Sequence, residues 1–150
     1  MGAQVPKQYL EINGRCLLQY SLEALLACPS VESVTVALHP DDSRAAGIAL
    51  LADPRVQTTA GGAERADSVL AGLLDLAGRV ADSAWVLVHD AARPCLAVED
   101  VERLVAAVSR SGRGGILAQP LVDTIKRAGP DGLIETTVDR DQLWRCLLYT

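Results

Sequence analysis

Apolar residues recur along this chain in two alternating rhythms, short β-rich runs and stretches with a period near 3.6 residues, and this alternation predicts an α/β domain with a mostly parallel sheet. Residues 33–38 (SVTVAL) read as the first good strand. Ahead of it, Leu18, Leu22, Leu25 and Leu26 fall on one helical face within residues 17–28, and Pro29 stops that helix. The chain is expected to enter this helix with no strand before it. The pattern then predicts a helix over 42–51, a strand over 56–60 and a helix over 63–76. Residues 85–89 (WVLVH) are a continuous apolar run, which predicts a strand buried on both faces and therefore central in the sheet.

Val98, Val101, Leu104, Val105 and Val108 form a further helical stripe that closes at Gly112, and a strand follows at 115–121. There the alternation breaks. Residues 124–128 and 134–138 are β-prone and separated by Gly129-Pro130-Asp131-Gly132, so a hairpin arm over about 122–140 should project from the α/β body. With no internal repeat, low-complexity tract or linker, residues 1–150 read as a single domain. A doubly wound domain usually opens with a strand and a phosphate-binding turn. This chain opens at Met1-Gly2-Ala3 without them and stops at the apolar Leu147-Leu148-Tyr149-Thr150, so it is expected to be incomplete at both ends.

Composition narrows the function classes. A 150-residue chain that is 49% hydrophobic has enough apolar material for a sizeable core. No apolar run approaches the roughly 20 residues a bilayer-spanning helix needs, and no secretory signal opens the chain, so the expected location is the cytoplasm. A net charge of -5 gives no global basic field for a nucleic acid, while small anions remain open to local basic residues. Cys16, Cys28, Cys95 and Cys146 form no Cys-x-x-Cys pair and read as reduced, mostly buried thiols rather than metal ligands.

Several short segments carry candidate chemistry. Lys7, in Pro6-Lys7-Gln8-Tyr9-Leu10, can meet phosphate oxygens as a point charge, or is a solvated loop lysine. Gly61-Gly62 joins a strand to a helix, where free N–H groups face an anion or base edge, or where the chain simply turns tightly. Arg65, Asp67 and Ser68 follow, suited to a ligand or to capping. His89-Asp90-Ala91-Ala92-Arg93-Pro94 lies after the most apolar strand, where ligands of open α/β sheets bind. Asp90 there suits a magnesium-bound phosphate or a sugar hydroxyl, against the plainer reading of an Asp90–Arg93 salt bridge. Asp123-Thr124-Ile125-Lys126-Arg127 and Val138-Asp139-Arg140 fall on the two hairpin arms and would converge on an anion, or only solvate the arm.

Together, PKQYL at 6–10, GGAERADSVLAG at 61–72, VLVHDAARPCL at 86–96, DTIKR at 123–127 and TVDRDQLW at 137–144 resemble the 2-C-methyl-D-erythritol 4-phosphate cytidylyltransferase family over essentially the whole chain. Five blocks in order are far more specific than any one. The resemblance implies a Rossmann-like sheet of the nucleotide-diphospho-sugar transferase type with a dimerising hairpin arm. It implies transfer of a cytidylyl group from CTP to the sugar-alcohol phosphate, with Mg²⁺ mainly on the CTP phosphates and no certain protein ligand. Such chemistry rests on positioning and charge neutralisation rather than covalent help.

By motif match, Lys7 would stabilise the transition state and Arg140 would hold the attacking phosphate, with a hydroxyl contact from Thr124. Gly62, Ala63 and Ser68 would recognise the cytosine, largely through backbone groups. Ala63 departs from the acidic residue often found there. Asp90 would line the shared nucleotide and alcohol site, with Ala91 and Arg93 beside it on the substrate side. Thr124 and Arg140 would serve the neighbouring subunit of a homodimer. The family's glycine-rich loop and its C-terminal basic segment are expected outside these residues, so the 150-residue chain alone should turn over little. Ribitol-5-phosphate-type cytidylyltransferases are the nearest alternative, with Ala91-Ala92 favouring the methylerythritol enzymes. A non-catalytic dimerising or nucleotide-binding module is the alternative of another class. A downstream cyclase domain is compatible with either.

Overall fold

The computed structural model describes residues 5–149. The expected opening at Met1-Gly2-Ala3 and the final Thr150 lie outside the described residues. From Pro6 the chain makes a 3-10 turn over Lys7–Tyr9, closed by the Tyr9 N–H on the Pro6 carbonyl (2.9 Å) and the Leu10 N–H on that of Lys7 (3.1 Å). A short antiparallel hairpin follows, β1 (Glu11–Ile12) with β2 (Arg15–Cys16). This corrects the expectation that no strand precedes the first helix. Asn13 and Gly14 both take left-handed φ, 51° and 75°, the geometry that an Asn-Gly pair supplies to a two-residue hairpin loop.

Helix α1 (Leu17–Leu26) buries Leu18, Ser21 and Leu22 and ends before Pro29, as its apolar stripe predicts. Strands β3 (Val34–Leu38) and β4 (Val56–Ala60) pair in parallel, from Val34 opposite Val56 to Leu38 opposite Ala60. The helix expected over 42–51 is instead two 3-10 turns, Ala45–Gly47 and Ala49–Ala52. Gly47 is a poor helix former, and Ile48 between the turns is extended at φ -96°, ψ 102°, which breaks the i to i+4 ladder.

Helix α2 (Arg65–Leu76) leads to residues 85–89, which do not form the expected central buried strand among the described residues. Trp85 is 48% exposed, residues 86–89 are half-buried, and only Val88 makes an isolated bridge. An apolar run favours extension but does not supply ladder partners on both flanks. Helix α3 (Val98–Ser111) buries Val101, Leu104 and Val108 and stops at Gly112 in the left-handed conformation (φ 64°). Strand β5 (Ile116–Pro120) pairs antiparallel with β8 (Trp144–Tyr149), which falls partly on the terminal apolar stretch. Between them β6 (Ile125–Ala128) and β7 (Ile134–Val138) form the expected hairpin around Gly129 and Gly132.

The chain is thus α/β, but its described strands form four two-stranded sheets, of which β3–β4 is the parallel one. The continuous, mostly parallel sheet read from the alternation is not formed among these residues. The apolar interior is divided accordingly. One cluster gathers Tyr9, Cys16, Leu18, Leu22, Val36, Ile48 and Val56 beneath β3–β4. The other centres on Leu104 and Val108 against Leu87, Leu96 and Leu117. Cys16 and Cys28 are buried, whereas Cys95 and Cys146 are exposed, so only half of the thiols sit where a mostly buried set was expected.

Candidate active site

The loop after β4 is built by close packing. The Gly61 N–H donates to the Leu38 carbonyl (2.6 Å), tying the loop to the end of the neighbouring strand. Ser68 Oγ accepts the Gly62 N–H (3.1 Å) and donates to the Glu64 carbonyl (3.3 Å), and Asp67 Oδ2 accepts the Glu64 N–H (3.1 Å). A Cβ on Gly62 would run into the Cβ of Asp67, and one on Gly61 would lie 3.0 Å from Ser68 Oγ. Gly62 is therefore required for the tight turn, Gly61 is closely packed beside it, and Asp67 caps the helix start. Ala63 is exposed beside them. The turn presents Gly62, Ala63 and Ser68 together at the N-terminus of α2, where the helix dipole favours negative charge.

The turn over 89–94 is fixed from three sides. Ser21 Oγ in α1 donates to the Ala91 carbonyl (2.9 Å), and Ala91 packs on the first apolar cluster. The Arg93 N–H donates to the Asp90 carbonyl (3.0 Å), and Arg93 Nη1 donates to the Cys146 carbonyl in β8 (2.9 Å). Both oxygens of Asp90 are held, Oδ1 by Arg65 Nε (3.0 Å) and Oδ2 by Arg93 Nε (2.9 Å). The Asp90–Arg93 salt bridge of the plainer reading is present. Arg65 extends it into a joint between the two loops, which the sequence hid because Arg65 and Asp90 stand 25 positions apart.

His89 Nε2 lies 2.9 Å from the Arg93 carbonyl, while its Nδ1 is buried with no partner among the described residues. This distribution fits the neutral ring with its proton on Nε2. Burial lowers the imidazole pKa below its usual value, and the nearby Arg93 adds to that, against the Arg93 carbonyl and the Asp90 carboxylate. Beside the turn opens a cleft of about 580 Å³, lined by His89, Arg93, Cys95, Gln119 and Arg145 among others, within the size range of small-ligand sites.

Lys7 sits on its 3-10 turn with an exposed side chain that makes no ion pair or hydrogen bond among the described residues. Two positions on, Tyr9 is buried and its hydroxyl donates to Asp42 Oδ2 at 2.6 Å. Burial raises the Tyr9 pKa, and the Asp42 carboxylate raises it further. For Asp42 burial pulls upward, but the Tyr9 hydroxyl and the N–H groups of Arg44 and Ala45 outweigh it and hold the carboxyl below its usual range. No local pattern foretells this pair, whose members lie 33 positions apart.

Thr124 and Arg140 flank the β6–β7 hairpin and are exposed. Arg140 Nη1 donates to the Val122 carbonyl (2.6 Å). No hydrogen bond or ion pair among the described residues joins either side chain to the 61–68 or 89–94 loops. The site residues thus fall into a joined group, Gly62, Ala63, Ser68, Asp90, Ala91 and Arg93, a separate pair on the arm, and Lys7 on its own 3-10 turn. Among the described residues no three His, Cys, Asp or Glu side chains converge on a point, and Asp90 has both oxygens on arginines. These residues do not by themselves build an Mg²⁺ site.

A family model described as 2-C-methyl-D-erythritol 4-phosphate cytidylyltransferase, IspD, matches residues 1–148. The protein named 2-C-methyl-D-erythritol 4-phosphate cytidylyltransferase from Escherichia coli O1:K1 / APEC is 52% identical over 148 residues, which cover 98% of this chain and 61% of that protein. The protein of the same name from Shewanella sediminis is 48% identical over 147 residues, again covering 98% and 61%. A crystal structure of a 4-diphosphocytidyl-2C-methyl-D-erythritol synthase is similar with a TM-score of 0.84 at 38% identity, covering 95% of this chain and 69% of that one. The chain therefore spans about 61% of the length of these curated relatives. With the family model matching residues 1–148 and the fold shared with a solved structure at 38% identity, the chain belongs to the 2-C-methyl-D-erythritol 4-phosphate cytidylyltransferase family.

Proposed function

We propose that these residues form the core of an enzyme that transfers the cytidylyl group of CTP to 2-C-methyl-D-erythritol 4-phosphate in non-mevalonate isoprenoid biosynthesis. A phosphate oxygen of the alcohol attacks the α-phosphorus in line. The bond from that phosphorus to the bridging oxygen of the leaving diphosphate breaks, giving 4-diphosphocytidyl-2-C-methyl-D-erythritol. The observation that carries this reading is Asp90 held by Arg65 and Arg93, which joins the two strand-end loops into one wall in a chain of this family. A prearranged polar wall suits a reaction that depends on orientation and charge placement.

In this reading Gly62, Ala63 and Ser68 meet the cytosine. Asp90, Ala91 and Arg93 line the shared nucleotide and alcohol site. Lys7 offsets charge on the transferring phosphoryl group. Arg140, with Thr124, holds the attacking phosphate, and Mg²⁺ enters on the CTP phosphates. The hairpin is the dimerising arm and delivers Thr124 and Arg140 to the neighbouring subunit. In support, Val122, Leu133 and Ile134 on and beside the arm are exposed by 73%, 68% and 62%. Among the described residues no helix is long and apolar enough to cross a membrane. We place the reaction in the cytoplasm, where CTP is made available.

The test is diphosphate release and CDP-alcohol formation from CTP with methylerythritol phosphate or ribitol 5-phosphate. It should be run on the full-length gene product and on the 150-residue chain. Turnover of the methylerythritol substrate by the full-length product, with little by the 150-residue chain, is expected. Preference for ribitol phosphate would move the assignment to the pentitol enzymes. CTP binding without any turnover by the full-length product would leave a binding module.

A further inference from the structure

We propose that the Tyr9–Asp42 hydrogen bond is a positioning device that sets where the Lys7 amine stands relative to the nucleotide loop. This rests on the cytidylyl-transfer reading of Lys7. With no partner for the Lys7 side chain among the described residues, its root is placed by the backbone of the Lys7–Tyr9 turn alone. That turn has two backbone hydrogen bonds of its own, and a single 3-10 turn is weak in isolation. Its orientation must come from outside.

Tyr9 supplies it in two ways. Its ring is 9% exposed and belongs to the cluster with Cys16, Leu18, Leu22, Val36, Ile48 and Val56, which fixes the depth of the turn. Its hydroxyl, 2.6 Å from Asp42 Oδ2, fixes the direction. Asp42 is itself well anchored. Its N–H donates to the His39 carbonyl (2.9 Å), and its other oxygen, Oδ1, accepts the N–H groups of Arg44 (3.0 Å) and Ala45 (3.3 Å).

The segment so anchored begins directly after β3. The last residue of β3, Leu38, accepts the N–H of Gly61 at 2.6 Å, the first residue of the nucleotide loop. A continuous path of short bonds therefore runs from the Lys7 turn through Tyr9, Asp42 and the end of β3 to Gly61-Gly62. Ala91 packs on the same apolar cluster as Tyr9, so the 89–94 turn shares this reference frame. A lysine acting on a transferring phosphoryl group must be held within a fraction of an ångström to be effective, and this path fixes the backbone root from which the Lys7 side chain reaches.

A double-mutant cycle in the full-length gene product tests the role. Tyr9→Phe keeps the ring and removes the hydroxyl. It should lower kcat about tenfold with the KM for CTP within about twofold of wild type, the signature of a loss felt in the transition state. In a Lys7→Ala background, followed with radiolabelled CTP, the same substitution should change the residual kcat by less than about twofold, because the group it positions is gone. Asp42→Ala, which removes the acceptor of the Tyr9 hydroxyl, should repeat the pattern and serves if Tyr9→Phe misfolds. Equal losses with and without Lys7, or a kcat within about twofold of wild type in both single variants, would overturn the inference. An inactive wild type would remove the cytidylyl-transfer reading itself and this role with it, an outcome distinct from those two.

Discussion

Asp90 and Arg140 are both charged groups at the ends of short strand-like segments, yet their surroundings differ. Asp90 has each oxygen on an arginine from a different element, in a turn also held by Ser21 and by the Cys146 carbonyl. Arg140 has the Val122 carbonyl, from the opposite arm of its own hairpin. Behind the turn of Asp90 lie both apolar clusters, through Ala91 and Leu87, while the hairpin leaves Leu133 and Ile134 in the open. The wall at 61–68 and 89–94 is finished by its own chain. The arm presents exposed apolar residues and an arginine with one carbonyl partner from its own hairpin. On the proposed function, a preorganised wall would cost little to order when substrate arrives, whereas the arm would gain its geometry on assembly.

The largest expected effect comes from the arm. Arg140→Ala in the full-length gene product should reduce kcat by about 10²-fold, the loss expected when the attacking phosphate is no longer held in line. Its unfolding free energy should move by no more than about 0.5 kcal/mol, because an exposed side chain with one carbonyl partner contributes little to the fold. Denaturant unfolding beside steady-state kinetics checks both halves. A large loss of stability would break the contrast by showing the arm to be self-finished. Gly62→Ala probes the wall in the opposite sense. Its methyl group overlaps Asp67, so the turn must shift at a cost of about 1–3 kcal/mol, and CTP affinity should fall with it. Calorimetric titration with CTP and a thermal melt would register the two losses together.

What could be read from the sequence follows the range of the interactions involved. Helices at 17–26, 65–76 and 98–111 announce themselves by periodicity, and the β6–β7 hairpin by Gly129 and Gly132, because those signals are local. The Asn13-Gly14 turn is just as local, but its strands are only two residues long and too short to show an alternation. Residues 85–89 misled because an apolar run specifies burial of side chains but not which neighbours complete its ladder. The motif at 89–94 marked a site, yet the partner that shapes it, Arg65, is 25 positions away, and Asp42 is 33 from Tyr9. Pairings of that span depend on the assembled fold, so the residue types of the site were legible and its joints were not.

His89 offers the smallest effect and the finest separation of wall from arm. Its pKa is lowered from the ordinary 6.5, chiefly because burial disfavours the charged ring and leaves Nδ1 without a partner. As pH falls through 6.5 the unfolded chain takes up the proton before the folded one does, so the unfolded state binds more protons and stability declines. The contribution is complete above 6.5 and is lost once pH has passed the folded-state pKa. Asp42 and Glu102, held below ordinary values of 3.8 and 4.5, lose their own contributions at lower pH, which leaves the interval between 6.5 and 4.5 to the imidazole. Thermal midpoints of wild type should therefore drop across that interval, and His89→Gln, whose amide can still donate to the Arg93 carbonyl, should flatten the drop. Corrected for the intrinsic pH dependence of exchange, protection of the Arg93 amide should fall over the same interval while that of the β6–β7 amides, in an arm with no histidine, stays level. An equal acid response in the arm would show that the two regions open as one unit, and the contrast between them would fall.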